Sequence, residues 1–242
     1  MKPPKFVDGY FKDVDSDDSN AIMTRFKPFV ANILVPYLNQ TILRKIPETR
    51  EKFIKHTYTE AFPPDPKVEE KSWYIYNIGG RSEIQFNIGM DPQKVRLGVA
   101  FHMLPQKFGN PEAVRKALKE FRTAIRNKGK EFKDFVNNHD IELEWADDQN
   151  IGIMSKAQVW PFLLSKQPKL TWLFIGRFLR KGIDRHILED PNALDQVMTN
   201  VFEGLWPYYE STQLWLHGIT TQGRVKTIRR PGKAPHKISL KP

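Results

Sequence analysis

Between residues 72 and 103 apolar and polar side chains alternate through three successive runs, SWYIYNIGGRSEIQFNIGMDPQKVRLGVAFHM, with short turns between them. A period of two marks strands whose faces meet different surroundings. Trp73 to Ile78 and Arg81 to Ile88 flank Gly79-Gly80, a pair whose freedom at positive φ predicts a two-residue hairpin. That turn implies a register in which Trp73 and Ile75 share a face with Ile84 and Phe86, while Tyr74 and Tyr76 lie beside Gln85 and Glu83. The third run sets Val95, Leu97, Val99, Phe101 and Met103 against Arg96, Gly98, Ala100 and His102. One face therefore predicts core, and the other is polar at its ends and small in its middle.

Around this centre the period changes to that of helices. Ile22, Phe26, Phe29, Val30, Ile33, Leu34, Tyr37 and Leu38 recur at helical spacing, with Pro28 and Pro36 dividing the stretch into two or three short segments. A second helix is expected from about Pro47 to Tyr58, followed by an extended connector at Phe62 to Lys67. Asn110-Pro111-Glu112 combines a cap, a first-position proline and a first-turn acid, which announces a helix. Its inner stripe is Val114, Leu118, Phe121, Ile125, Phe132 and Phe135; Arg115, Lys116, Lys119, Arg122 and Arg126 make its outer face basic, and Gly129 is a point of interruption. Strands are expected around Ile141 to Trp145 and Ile151 to Met154 with a turn at Asp147 to Asn150, then a buried strand over Leu170 to Leu179 with Arg177, Arg180 and Lys181 at its exit. Asn192 to Trp206 returns to helical spacing, and Pro207 is expected to interrupt it. The class is α+β: an antiparallel sheet centred on 72–103 with helices packed on one face, in a single domain over 20–217.

Composition refines this picture. A chain of 242 residues that is 40% hydrophobic and 27% charged can bury a real core. No apolar run reaches the roughly 18 residues of a membrane helix, and the first residues lack the apolar stretch of a signal peptide, so a soluble cytoplasmic protein without membrane partners is expected. The absence of cysteine removes disulfides, thiolate metal sites and cysteine catalysis. The net charge of +10 is uneven: residues 218–242 hold seven basic residues, including Arg224, Lys226, Arg229 and Arg230, and no acid, which leaves +3 for the rest. That tail reads either as a solvated terminus or as an arm for phosphate backbone. Residues 1–19 read as a loosely ordered acidic lead-in with little to bury beyond Phe6, Tyr10 and Phe11.

The polar face of the sheet is the main candidate for chemistry. Tyr74, Tyr76, Arg81, Glu83, Gln85, Asn87, Arg96 and His102 surround the small residues Gly98 and Ala100. Aromatics that stack, amides and guanidinium groups that meet base edges, and a closely approachable backbone are what a nucleic-acid reader uses. The plainer reading is a wet or helix-covered sheet face. The six histidines form no metal-ligand pair, and there is no phosphate loop or nucleophile elbow.

Two resemblances bear on function. YNIGGRSEIQFNIG followed by VRLGVAFHM, the later FIGRF and a helix ending LWPYYE resemble, over about 75–210, the N-terminal modules of bacterial restriction and defence proteins that precede an HNH or other nuclease domain, as in type IV systems. The resemblance implies a module that reads double-stranded DNA, sometimes modified DNA, while cleavage resides elsewhere. By residue type and charge the expected contacts are Tyr74, Tyr76, Arg81, Gln85, Asn87, Arg96, Arg177, Arg180, Lys181, Arg224, Lys226, Arg229 and Arg230, with no cofactor. No HNH or other nuclease domain is recognisable after residue 217, which leaves three expectations: a separate nuclease subunit as partner, a fragment of a longer protein, or a cleavage site inside the fold. The element order is also similar to the PD-(D/E)xK nuclease core, with Glu83-Ile-Gln85 matching its ExQ variant. That alternative implies Mg²⁺-dependent cleavage by Glu83 and Gln85, with the second acid drawn from Asp65, Glu69, Glu70 or Asp91. A protein-interaction module without nucleic acid is the third reading.

Overall fold

The computed structural model describes residues 2–15, 22–42, 57–58, 73–78, 84–103, 111–166 and 169–216; at 22–23, 39, 57–58, 73–78, 84–87 and 213–216 it describes the backbone path alone. In chain order the elements are α1 (Asp8–Asp15), a helix α2 over 22–42, β1 (Thr57–Tyr58), β2 (Trp73–Ile78), β3 (Ile84–Met90), β4 (Lys94–His102), α3 (Pro111–Asn127), α4 (Gly129–Asn138), β5 (Glu142–Ala146), β6 (Ile151–Met154), α5 (Lys156–Leu164), β7 (Trp172–Arg180), α6 (Arg185–Glu189) and α7 (Pro191–Leu216). The seven strands form one antiparallel sheet in the order β1-β2-β3-β4-β7-β5-β6. The class is α+β, as the alternating and helical periods predict.

The hairpin register differs from the expected one. Ile78 pairs with Phe86 and Asn77 with Asn87, so seven residues separate the paired ends of β2 and β3 instead of two. A register shift between Tyr74 and Tyr76 adds a bulge, and Tyr74 pairs with Gly89 while Tyr76 pairs with Ile88. Ile84 and Gln85 pair with Phe101 and Ala100 of β4, and among the described residues β2 pairs with β3 from Phe86 onward. The local preference of a Gly-Gly turn therefore does not decide the register. Gly79-Gly80, Arg81 and Glu83 lie outside the described residues, as do the stretch 47–56, the connector at 62–67 and the tail at 218–242.

Val95, Leu97, Val99 and Phe101 of β4 are fully buried on the face covered by α3 and α7. Phe121 of α3 meets Phe101 edge-to-face with ring centroids 5.1 Å apart, and Tyr208 of α7 meets Phe132 of α4 in the same way at 5.1 Å. The stripe read from the sequence for this helix pair is the core: Val114, Leu118, Phe121, Ile125 and Phe132 are buried, and Phe135 packs against them. Burying side chains of this size contributes about 2 kcal/mol each, which is why the apolar stripe, not helix propensity, fixes where α3 lies.

Four local expectations change. Residues 8–15 form a helix, and Phe6, Phe11 and Val14 are buried in the main core, so this part of the lead-in is packed. Phe6 N–H donates to Leu188 O at 2.8 Å, tying it to α6. Pro28 and Pro36 do not divide α2: helical φ and ψ continue on both sides of each proline, and π-helical turns alternate with the short α-helical ones that hold them. Thr57 and Tyr58 are strand, paired with Ile78 and Asn77, where a helix was expected. Finally, α7 runs through Pro207, which is exposed, and the solvent side of a long helix tolerates the missing hydrogen bond best.

Candidate functional site

The face of the sheet opposite α3 carries Lys94, Arg96, Gly98, Ala100 and His102 from β4. Register places Arg180, Phe178, Gly176, Phe174 and Trp172 beside them on β7, and Glu142 and Glu144 beyond on β5. Gly98 and Gly176 face each other because β4 and β7 approach closely: a Cβ on Gly98 would come 2.2 Å from Ile175 O. This face is less wet than its composition predicts, since Ala100, Phe174 and Phe178 form a fully buried cluster with Trp172 packed against it.

Arg96, the expected base reader, lies flat on this floor. Its side chain crosses Gly89, where a Cβ would meet Nε at 2.4 Å, and its guanidinium carbon sits 5.4 Å from the Trp172 ring centre and 5.6 Å from that of Phe174. Glu144 is the hub: it accepts from Lys94 Nζ at 3.2 Å and Trp172 Nε1 at 3.0 Å, with Arg96 Nη1 at 3.8 Å. Arg180 donates through both Nη atoms to Glu142, which raises its ionisation further above the usual guanidinium value. His102 lies edge-on to Trp172 at 5.6 Å, and burial lowers its ionisation below that of a free imidazole.

Arg177, the other cation of β7 beside Arg180, is engaged in the same way. Arg177 Nη2 donates to the buried Asp184 at 3.0 Å, and Nη1 lies 3.3 Å from Asp140. Asp184 also accepts from Arg180 N–H at 2.8 Å. Lys181 lies over the Phe11 ring at 5.6 Å. Acids of β5 therefore offset β4 and β7, because β5 is inserted beside β7 in the sheet. Side chains of Tyr74, Tyr76, Gln85 and Asn87 lie outside the described residues, as do Arg81, Glu83, Arg224, Lys226, Arg229 and Arg230.

A different set of cations is arranged along α3. Arg115, Lys119, Arg122 and Arg126 stand at i, i+4, i+7 and i+11. At about 100° and 1.5 Å per residue they form one stripe roughly 60° wide and about 16 Å long. The stripe borders a cleft of about 360 Å³ whose other wall carries Lys166 and Lys169, with Met103, Leu118 and Leu170 at its base and no acidic residue in its lining. Arg122 is anchored: its guanidinium donates to Leu163 O and Ser165 O at the end of α5. Burial, and then the neighbouring Arg126 charge, press its ionisation below the usual guanidinium value. Arg115 donates to Glu112 at 2.6 Å, a carboxylate 85% exposed. Among the described residues no carboxylate pairs with Lys119, Arg126, Lys166 or Lys169. Part of this was legible as a basic outer face, but the stripe needed the helix and the cleft needed α5, which the sequence reading did not include. The Ser155–Gln158 capping box was the available signal.

Among the described residues no group of three or more His, Asp or Glu is placed to hold a metal. Asp91, one candidate second acid for Gln85, stands six residues away along β3, about 20 Å at strand rise, and accepts from Gln93 N–H and Lys94 N–H. Asp65, Glu69 and Glu70 lie outside the described residues. No helix among the described residues is long and apolar enough to cross a membrane. No protein-family model matches the chain, and no curated protein matches it either.

Proposed function

We propose that this chain binds double-stranded DNA through the α3 stripe and its cleft, in a bacterial restriction or defence setting. One observation carries the reading: Arg115, Lys119, Arg122 and Arg126 share a stripe, the first three lining a cleft with Lys166 and Lys169 and, among the described residues, no acid. Like charges at i, i+3 and i, i+4 oppose helix formation by about 0.2–0.5 kcal/mol per pair, so three such neighbours cost the fold on the order of 1 kcal/mol. A polyanion reverses that sign. Over about 16 Å a duplex strand presents four or five phosphates at roughly 3.4 Å each, enough to meet the stripe and release counterions.

Phosphate contacts of this kind position the protein and carry no sequence information. Gln85 and Asn87 pair with Ala100 and Gly98 on the sheet face opposite α3, so a duplex on the stripe is not read by them, and the basic tail adds affinity through Arg224, Lys226, Arg229 and Arg230. Arg96, Arg177 and Arg180 are not assigned to readout, because their hydrogen bonds are used within the sheet. The restriction setting rests on the resemblance over 75–210.

Fluorescence anisotropy with a labelled duplex across a salt series tests the proposal on the full chain. Wild type should show a linear fall of log K with log salt, and Lys119→Ala/Arg126→Ala should lower the slope by about 1.8, or 0.9 per lost phosphate contact. Glutamine at Arg224, Lys226, Arg229 and Arg230 separates the tail from the helix. An unchanged slope in the α3 variant, with binding lost in the tail variant, assigns the contacts to the tail alone and overturns the α3 assignment.

A further inference from the structure

The sheet ends at β6, and the sequence Ile151-Gly-Ile-Met154 carries none of the devices that blunt a strand edge: no lysine, no proline and no bulge. Ile151 is 75% exposed and Ile153 49%, two β-branched side chains on the same face of an edge strand. Among the described residues no strand lies along its outer side. The β5–β6 hairpin shows which backbone groups point there. Asp147 N–H donates to Asn150 O at 2.9 Å, so the 147–150 pair is hydrogen-bonded. Alternation along the antiparallel ladder then directs the amides of Gly152 and Met154 toward β5, and those of Ile151 and Ile153 outward.

We infer that β6 is a self-association edge, pairing antiparallel with β6 of a second copy of this chain about a two-fold axis at Gly152. A two-fold strand pair keeps the sum of paired residue numbers constant. The register centred on Gly152 sets Ile151 opposite Ile153 of the second copy and the reverse, so that both outward-facing residues of each strand exchange N–H···O bonds. The same register sets Asp148 opposite Lys156 of the other copy, bringing the acidic turn of one hairpin to the basic first turn of α5 in the other. Registers centred on Ile151 or Ile153 place only one such residue against itself and lose this charge match. Joining the edges joins two seven-stranded sheets into one.

Because the native chain has no cysteine, engineered thiols report the pairing directly. Ile151→Cys and Ile153→Cys are prepared separately, then oxidised alone and as a mixture, with disulfide-linked dimer measured by non-reducing electrophoresis. The mixture should give the 151–153 linked dimer, since directly opposed Cα atoms about 5.5 Å apart suit a disulfide, and each variant alone should give far less. Sedimentation velocity over a concentration series should show a dimer for wild type that is lost in Ile151→Lys, a substitution at an open position. It should also be weakened in Asp148→Lys, which sets like charges opposite Lys156 of the other copy while leaving the Lys156–Asp140 bond in place. Wild type monomeric throughout, a dimer indifferent to Ile151→Lys, or stronger linkage in either thiol variant alone than in the mixture each overturns the inference.

Discussion

On β4 and β7 Lys94, Arg96, Arg177 and Arg180 each lie against a carboxylate, whereas among the described cations of the α3 stripe and its cleft Arg115 does so, through an exposed glutamate, and Lys119, Arg126, Lys166 and Lys169 do not. The difference follows from where the cations stand. Arg96 and Arg177 are 9% and 13% exposed, and a cation withdrawn from water that far destabilises the fold unless a carboxylate and hydrogen bonds accompany it. Glu144 of β5 supplies that for Arg96, and Asp184 with Asp140 supplies it for Arg177. An exposed helix face needs no such partner, because water and salt screen its charges. Unpaired cations there remain available to an outside anion, and paired ones in the sheet do not. Equal residue types in one chain thus serve fold and partner according to burial.

The largest effect expected of any single change lies on the sheet side. Asp184→Ala removes a carboxylate buried to 5% exposure that accepts from Arg177 and from the Arg180 amide. Calorimetry should show a loss of about 3 kcal/mol, or roughly 6–12 °C in Tm, with duplex affinity of the folded protein unchanged. Glu144→Ala should come next, at about 2 kcal/mol, because it leaves Lys94 and Arg96 without their shared acceptor. A Tm within 1 °C of wild type for both variants would erase the contrast drawn here.

Acid should weaken the sheet side in a defined window. The hydrogen bond from Lys156, and then the charge of Arg177, hold the Asp140 carboxyl below the usual carboxylate range. A depressed folded value means its contribution is complete above the unfolded value near 3.9 and is lost as pH falls through the folded one. Denaturant midpoints measured from pH 6 to pH 2 should therefore fall below about pH 4, and less steeply in Asp140→Asn. At the alkaline end, burial and then the charge of Glu131 push the Tyr208 hydroxyl up to about 12. Its contribution is complete below the unfolded value near 10 and is lost as pH rises toward 12, so Tyr208→Phe should flatten the alkaline decline in stability.

Element type was legible wherever one residue period ran unbroken: β4, α3 with its break at Gly129, and the β5–β6 hairpin all follow from spacing. What was not legible depended on partners distant in sequence. The Gly79-Gly80 turn looked decisive locally, yet Ile78 pairs with Phe86 and a bulge falls at Ile75, a register that the turn residues alone do not dictate. Likewise, Arg96 and Arg180 had the chemistry of DNA contacts, and nothing local shows that β5 will be inserted beside β7 and bring Glu144 and Glu142 to them. Pro161 inside α5 hid that helix, and with it the second wall of the cleft.

The smallest expected change in stability is the most informative, and it comes from reversing one charge on the stripe. Lys119→Glu places an acid between Arg115 and Arg122, converting two like-charge neighbours on α3 into attractive ones. Thermal unfolding and duplex anisotropy on the same full-length preparation should give a Tm equal to or slightly above wild type, by about 0.5 kcal/mol. Affinity should be weaker, with a salt slope reduced by about 1. A lower Tm with unchanged duplex affinity and slope would contradict the account, because it would make the α3 stripe part of the fold and not the surface that meets DNA.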